Sequence, residues 1–254
     1  MILFFFIIGA CFGSFANVVI FRYPHILGLF KKKQSISYLA YPNSFCPRCK
    51  KKLNWIHNIP IFSFIALKGQ CSFCEQPIAA RYPINEFLMG SFIVLSYFLY
   101  SPLTHHFYLL ILFYFFSLIL FWIDIDHFIL PDFFNIGLIL TGLAFNFNHG
   151  FVSLNSSALG ILIGYLSLWI IFYTHKKITQ KDGMGYGDFK LMAAQGAWFG
   201  WTSLPHIFLY ASIVGLIIFY FLQRTQGITK DDPIPFGPAI ILAGLIHIFE
   251  LTWF

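Results

Sequence analysis

The sequence predicts an all-α polytopic membrane protein of about eight transmembrane helices, with one small polar loop on the cytoplasmic side. Three observations predict it. Of 254 residues, 58% are hydrophobic and 10% charged, with Phe at 34 positions. A soluble domain carries about 25% charged residues, so this chain lacks the polar surface to stay in water. Apolar runs recur along the chain at lengths suited to a bilayer. A single polar segment interrupts them and holds four of the five cysteines.

The runs lie at roughly 2–21, 84–101, 106–124, 133–148, 156–174, 188–203, 205–222 and 236–253. Residues 2–21 show no charged n-region and no small-residue cleavage site, so 1–22 is expected as a retained first helix rather than a signal peptide. Residues 23–83 form the loop, too short for a confident core of its own. Residues 84–254 form the helical core. The third run ends in Asp124-Ile125-Asp126. The fourth follows Pro131-Asp132, where Asp132 reads as a helix N-cap. The sixth opens at Asp188 and is short; Gly196, Gly200 and Trp201 interrupt it, and a seven-span arrangement would merge or demote it. Pro235, Gly237 and Pro238 break the backbone before the last run.

Basic residues set the orientation. Ten Lys and Arg fall in 22–81, and the others at Lys176, Lys177, Lys181, Lys190, Arg224 and Lys230. In an eight-span arrangement these share one side, which the positive-inside rule places in the cytoplasm, with both termini outside. The net charge of +6 is therefore a topology signal with some anionic-lipid contact, and does not indicate nucleic-acid binding. Lys31-Lys32-Lys33 and Lys50-Lys51-Lys52 read as solvated faces near headgroups; as the frame of a substrate path they would repel basic substrates. His105, His106, His149, His206 and His247 fall near the opposite ends of the runs, where interfacial placement explains them. His127 is read as simply exposed.

The loop carries Cys46-Pro47-Arg48-Cys49 and Cys71-Ser72-Phe73-Cys74. Paired CxxC knuckles give four thiolates suited to tetrahedral zinc, which supplies the folding energy a small loop lacks. Four thiolates leave no open position, so this zinc is structural. Disulfides are the rival reading, opposed by a cytosolic location where thiols stay reduced. Cys11, inside the first run, reads as a packed small residue.

Asp124 ends the third run and Asp188 opens the sixth, so both fall at the cytoplasmic boundary. Carboxylates at membrane depth are costly and mark function. Two that meet must share a proton, the condition of aspartyl proteolysis. Asp126 lies two residues on, hence on another face of any continuing helix; spacing alone leaves the choice between Asp124 and Asp126 even. Within Gly185-Tyr186-Gly187-Asp188, the glycines permit close backbone approach to a substrate strand and dihedrals closed to other residues.

Several motifs then carry a resemblance. Gly13-Ser14-Phe15-Ala16-Asn17-Val18-Val19, Pro42-Asn43-Ser44, Trp55 with Asn58-Ile59-Pro60, and Arg81-Tyr82-Pro83 with Glu86 resemble segments of bacterial type IV prepilin peptidases. So do Asp124-Ile125-Asp126-His127 with Leu130-Pro131-Asp132, Gly183 to Lys190, and Pro235-Phe236-Gly237-Pro238. They run in order over nearly the whole chain; Ala16 departs from the commoner Leu. The resemblance implies a GxGD aspartyl enzyme of the bacterial inner membrane. Such enzymes cut a short basic leader from prepilins and pseudopilins on the cytoplasmic side. They then N-methylate the new terminal residue, usually Phe, with S-adenosylmethionine.

By that resemblance Asp124 and Asp188 are the catalytic pair, with acid and base unassigned between them. It also suggests Glu86 and Gly69 for methyl transfer, though Glu86 could equally pair with Arg81, and Gly69 could be a turn residue. No Rossmann-type glycine-rich unit is present to bind the donor. The Pro235–Pro238 turn either breaks a helix or bends backbone to line the cleft. Two other classes compete. A proton-coupled transporter also places carboxylates in spans, but the halves show no convincing repeat. A zinc-bearing membrane scaffold leaves the two Asp without a use. The sequence specifies no oligomeric state.

Overall fold

The computed structural model describes residues 1–29, 39, 43–180, 183–227 and 232–253. Lys31-Lys32-Lys33, Pro42, Lys181 and Lys230, used in the sequence reading, lie outside the described residues. Among the described residues the helices are α1 (Ile2–Ile26), α2 (Phe62–Ala66), α3 (Arg81–Leu99), α4 (His105–His127), α5 (Asp132–Phe147), α6 (Leu154–Thr179), α7 (Tyr186–Phe199), α8 (Leu204–Gln226) and α9 (Gly237–Trp253). Short 3-10 turns at Trp55–Asn58 and Trp201–Ser203 join them. No strand is formed there, only isolated bridges at Phe45–Lys52 and Gln70–Pro77. The eight longer helices coincide with the eight apolar runs. By length and composition, α1, α3, α4, α6 and the stretch Trp201–Thr225 can each cross a membrane, while α5 and α9 are shorter apolar helices.

The chain divides into two compact units, Met1–Pro102 and Leu103–Phe254. In the first, α1 packs on α3 through small residues. A Cβ on Gly9 would stand 2.6 Å from the Gly90 Cα, and one on Gly13 2.6 Å from the Glu86 Cα. Backbones this close leave room for nothing larger, the small-xxx-small solution of apolar media. Polar groups lock the register: Asn85 Nδ2 donates to Asn17 Oδ1 at 2.7 Å, and Asn17 Nδ2 to the Tyr82 carbonyl at 3.2 Å. Each such bond contributes about 1 kcal/mol in lipid. The motif around Gly13 is thus a helix-packing device. Cys11, expected to be packed, is exposed instead, because Gly9 and Gly13 occupy the face turned to α3.

In the second unit α7 is the buried element. Its 14 residues rise about 21 Å, short of the ~30 Å hydrocarbon core. Every residue from Leu191 to Gly200 is buried, where a lipid-facing helix would expose one side. The small residues that weaken its hydropathy are the reason. Cβ atoms added at Gly160 of α6 and Gly196 of α7 would come within 2.3 and 2.1 Å of the partner glycine's carbonyl oxygen. Gly164 would meet the Met192 carbonyl at 2.7 Å. On the other side, Trp198 Nε1 donates to the Leu138 carbonyl of α5 at 2.9 Å. Asn146 Nδ2 reaches Ser157 Oγ and the carbonyls of Ala197 and Trp198. Gly200, at φ 76°, ends the helix.

Gly196→Leu therefore forces apart α6 and α7, and is expected to cost roughly 3 kcal/mol or more. The thermal midpoint and size-exclusion profile in detergent check it. Gly215→Ala, whose methyl would meet neighbours at 3.4–3.8 Å, is expected to leave the midpoint in place.

Candidate active site and metal centre

The second unit brings two carboxylates onto helix starts. α4 ends where Phe128 takes φ 55° and returns its N–H to the Asp124 carbonyl at 2.8 Å. This termination leaves Asp124 in the last turn, 5% exposed, while Asp126 on another face is exposed. Asp124 Oδ2 accepts the Gly237 N–H, from the first residue of α9, at 3.0 Å. Asp188 sits in the first turn of α7, 7% exposed, and its Oδ2 accepts the Gly185 N–H at 3.2 Å. The Asp188 N–H in turn donates to the Gly185 carbonyl at 3.2 Å. Helix N-termini carry unpaired N–H groups and partial positive charge, so each carboxylate rests where an anion is stabilised. Asp124 is near enough to act electrostatically on Asp188. Asp188 Oδ1 is buried with no hydrogen-bond partner among the described residues.

Leu130, a residue that sequence reasoning quoted but gave no role, joins the two. A Cβ on Gly187 would lie 2.7 Å from the Leu130 Cβ, and one on Gly237 3.0 Å from its Cδ2. Its side chain thus wedges between the starts of α7 and α9. Asn135, fully buried, holds the Leu130 carbonyl through Nδ2 at 3.2 Å. This changes the account of the glycines. Gly187 is helical and Gly185 has φ −82°, so neither uses a special conformation. Gly187 is small to admit Leu130, and Gly237 to admit the Asp124 carboxylate, whose Oδ2 would lie 2.7 Å from an added Cβ.

Asp132 also differs from expectation. Pro131 is the N-cap of α5 and Asp132 lies in the first turn without a capping bond. It accepts from Lys190 Nζ at 2.6 Å, tying the start of α5 to α7. At 60% exposure on the Asp side this pair contributes at most about 1 kcal/mol. His105, His149 and His206 are exposed, and His106 is half-buried. His247 is buried: it is 7% exposed, 3.1 Å from Glu250 Oε2 through Nδ1, with its ring edge-on to Phe199.

The first unit gathers the cysteines. The thiols of Cys46, Cys49, Cys71 and Cys74 all lie within 4.8 Å of one another, and none forms a disulfide. Two matching knuckles bring them together. The Cys46 N–H bonds the Lys51 carbonyl and Lys50 returns to Cys46; the Cys71 N–H bonds the Gln76 carbonyl and Glu75 returns to Cys71. Lys50 and Glu75, each just past a second cysteine, share φ near 58° and 57°. The Cys46–Cys74 sulfur separation is 3.9 Å. Zn–S bonds of about 2.3 Å in a tetrahedron put sulfurs ~3.8 Å apart, so the cluster fits a structural zinc ion. Backbone N–H groups of Phe73 and Cys74 pull the Cys71 thiol down to about 7. Cys74 also receives a backbone bond from Gln76, but burial and the surrounding thiols push it up to about 11. A cation is what allows all four to ionise together.

Glu86 and Gly69 are not joined by any hydrogen bond among the described residues. Glu86 on α3 is 8% exposed; its Oε2 accepts the Ile61 N–H at 2.6 Å, and the Ser14 hydroxyl also reaches it. Ile61 has φ 62° and ψ −49°, a strained γ-turn for a β-branched residue, with Phe62 N–H bonded back to the Pro60 carbonyl. Gly69 is a turn residue at φ 71°, linking α2 to the second knuckle through Phe64 and Ile78. Arg81 lies over the Tyr82 ring, 5.8 Å from its centroid.

Two family models match the chain. One, described as the bacterial peptidase A24 N-terminal domain, covers residues 7–100; the other, the type IV leader peptidase family, covers 111–220. The chain is 38% identical over 262 residues to a protein of Aeromonas hydrophila, covering 98% of this chain and 89% of that one. It is 38% identical over 263 residues to one of Pseudomonas aeruginosa, covering 97% and 88%. It is 42% identical over 209 residues to one of Klebsiella pneumoniae, covering 82% and 90%. All three relatives are named prepilin leader peptidase/N-methyltransferase. No solved structure gives a significant match.

The wedge is testable by a double-mutant cycle. Gly187→Ala drives a methyl into Leu130 and is expected to lower the unfolding midpoint, by about 1–3 kcal/mol. Leu130→Ala in the same chain is expected to recover part of that loss, a non-additivity above about 0.5 kcal/mol. Strict additivity would show that the two residues do not meet.

Proposed function

Because the chain belongs to the type IV leader peptidase family, we propose that it removes the basic leader from prepilins and pseudopilins and then N-methylates the new terminus, using S-adenosylmethionine. The proposed setting is the cytoplasmic face of the bacterial inner membrane, where the basic residues of the loop and of the α6–α7 and α8–α9 connections would lie. The observation that carries the proteolytic half is the convergence of Asp124 and Asp188 on the starts of α9 and α7. The names of the relatives support both halves.

In this reading Asp124 and Asp188 are the catalytic pair. Each is held through Oδ2 by a backbone N–H, which leaves Oδ1 of each for water and substrate. The pair shares one proton. The ionised carboxylate takes a proton from water as the oxygen adds to the scissile carbonyl carbon. The protonated partner donates to the carbonyl oxygen. Collapse of the tetrahedral adduct returns a proton to the departing amine and breaks the peptide bond. The roles belong to the pair, since coupled carboxylates titrate as a unit.

The methyl donor supplies an electrophilic methyl group on a sulfonium; its transfer to the free amine leaves a thioether and releases a proton. Glu86 and Gly69 serve this step indirectly, by bracing Ile61 and turning the chain into the second knuckle. Zinc on Cys46, Cys49, Cys71 and Cys74 would hold the two knuckles as one body, with no position left for catalysis.

Asp124→Asn and Asp188→Asn are each expected to lower leader cleavage by about 10² to 10⁴-fold. Intact-mass analysis of a prepilin incubated with purified protein and S-adenosylmethionine reads loss of the leader and gain of one methyl group together. Cleavage surviving in both folded variants would sink the dyad. Elemental analysis of purified protein is expected to find one zinc per chain. Cys71→Ser is expected to lose it and to lower the thermal midpoint.

A further inference from the structure

We propose that S-adenosylmethionine binds in a cleft of the first unit formed by Arg22, Asn43, Ser44, Lys52, Trp55 and Asn58, an assignment that rests on the methyltransferase half of the reading above. Four of these residues belong to motifs singled out in the sequence and otherwise unused: Asn43 and Ser44 before the first knuckle, Trp55 and Asn58 after it. They are separated by the whole of the first knuckle, yet line one cleft of 480 Å³ with Arg22 from the last turns of α1. That volume lies within the ~300–1,000 Å³ of small-molecule sites.

The lining matches the donor's chemistry group by group. Arg22 is only 5% exposed, and Nη1 donates to the Leu39 carbonyl at 2.6 Å, which fixes the guanidinium plane. A guanidinium at the edge of the cleft offers a carboxylate a paired set of donors. Lys52 adds a second cation at the same cleft. Trp55 is 75% exposed, an unusual state for the largest aromatic side chain. Its face can stack a purine. Asn43, Asn58 and Ser44 offer both donors and acceptors, as the edge of a heterocycle and a ribose demand.

Two further features agree. The leader-peptidase family match falls in 111–220, within the second unit, which leaves the first unit for the other activity in the relatives' name. Glu86 braces the strained backbone at Ile61, three residues past Asn58. It thereby positions the 55–61 segment that carries two of the cleft residues.

The test is equilibrium dialysis of radiolabelled S-adenosylmethionine against full-length protein in detergent. Trp55→Ala is expected to weaken binding at least ten-fold, Trp55→Phe to restore part of it, and Arg22→Gln to remove it. Zinc content and thermal midpoint report the fold, and Trp55→Ala, altering an exposed side chain, carries the test if Arg22→Gln misfolds. Wild-type protein that binds no donor would overturn the site together with the methyltransferase reading. Wild-type and folded variants that bind equally would overturn the site alone. Variants that keep the donor but lose co-purifying phosphatidylglycerol would assign the cleft to a lipid headgroup and overturn the proposal.

Discussion

A carboxylate kept at membrane depth needs hydrogen-bond donors, and Asp124 and Asp188 both take theirs from the start of a helix. Much else in the second unit follows from that requirement. Asp124 stands in the last turn of α4, from which its carboxylate reaches the start of α9. Phe128 supplies the ending by accepting a left-handed conformation. α9 must begin within reach, which Pro235 before the helix and Gly237 and Pro238 in its first turn arrange. Proline in a helix's first turn costs nothing there, because those N–H groups have no intrahelical partner. Gly237 then has to lack a side chain, since the carboxylate occupies its place.

The same logic explains why α7 is short and buried. A helix whose first turn carries Asp188 has to be fixed along its axis as well as around it. Lipid offers no hydrophobic drive for such fixing, so close backbone contact and interhelical hydrogen bonds must do it. Gly160 and Gly196 set the depth, while Trp198 and Asn146 set the rotation. Leu130 then closes the arrangement at the other end. Once the axis, rotation and mouth are fixed, the position of one carboxyl group relative to the other is no longer free. Under the proposed mechanism that rigidity serves chemistry, because a dyad requires two oxygens at a set separation and not merely two acids nearby.

What could be read in the sequence follows the same physics. The eight runs were legible because lipid-facing helices write their burial directly as apolar length. The sixth was ambiguous because α7 is surrounded by protein, and its Ala and Gly content records close packing that a hydropathy scale reads as weakness. The four cysteines were legible as one cluster because a four-thiol site able to hold a metal needs fixed spacing. Cys11 was misplaced because the face of α1 that turns inward is set by Gly9 and Gly13, whose partners lie some 75 residues away. Asp132 was misread because Pro131 took the cap, which freed the carboxylate for Lys190. The glycines of the GxGD tetrad invited an explanation in dihedrals. For Gly187 the constraint is the Leu130 side chain, and no local pattern reveals a neighbour.

The first unit solves a different problem by a different route. Its loop cannot bury enough apolar surface to fold alone, so order has to come from a few strong local links. Four thiols tie the two knuckles. Asn17 and Asn85 tie α1 to α3. Glu86 ties α3 to Ile61. The last link is the informative one. A buried carboxylate that accepts from both the Ile61 N–H and the Ser14 hydroxyl holds a residue whose conformation is itself strained; an ordinary turn at that point would cost less. Strain is retained where a particular chain path is needed. The segment that Glu86 holds carries Trp55 and Asn58, which line the same cleft as Arg22. Under the proposed donor site, the carboxylate is a brace for the segment that carries two of the cleft residues.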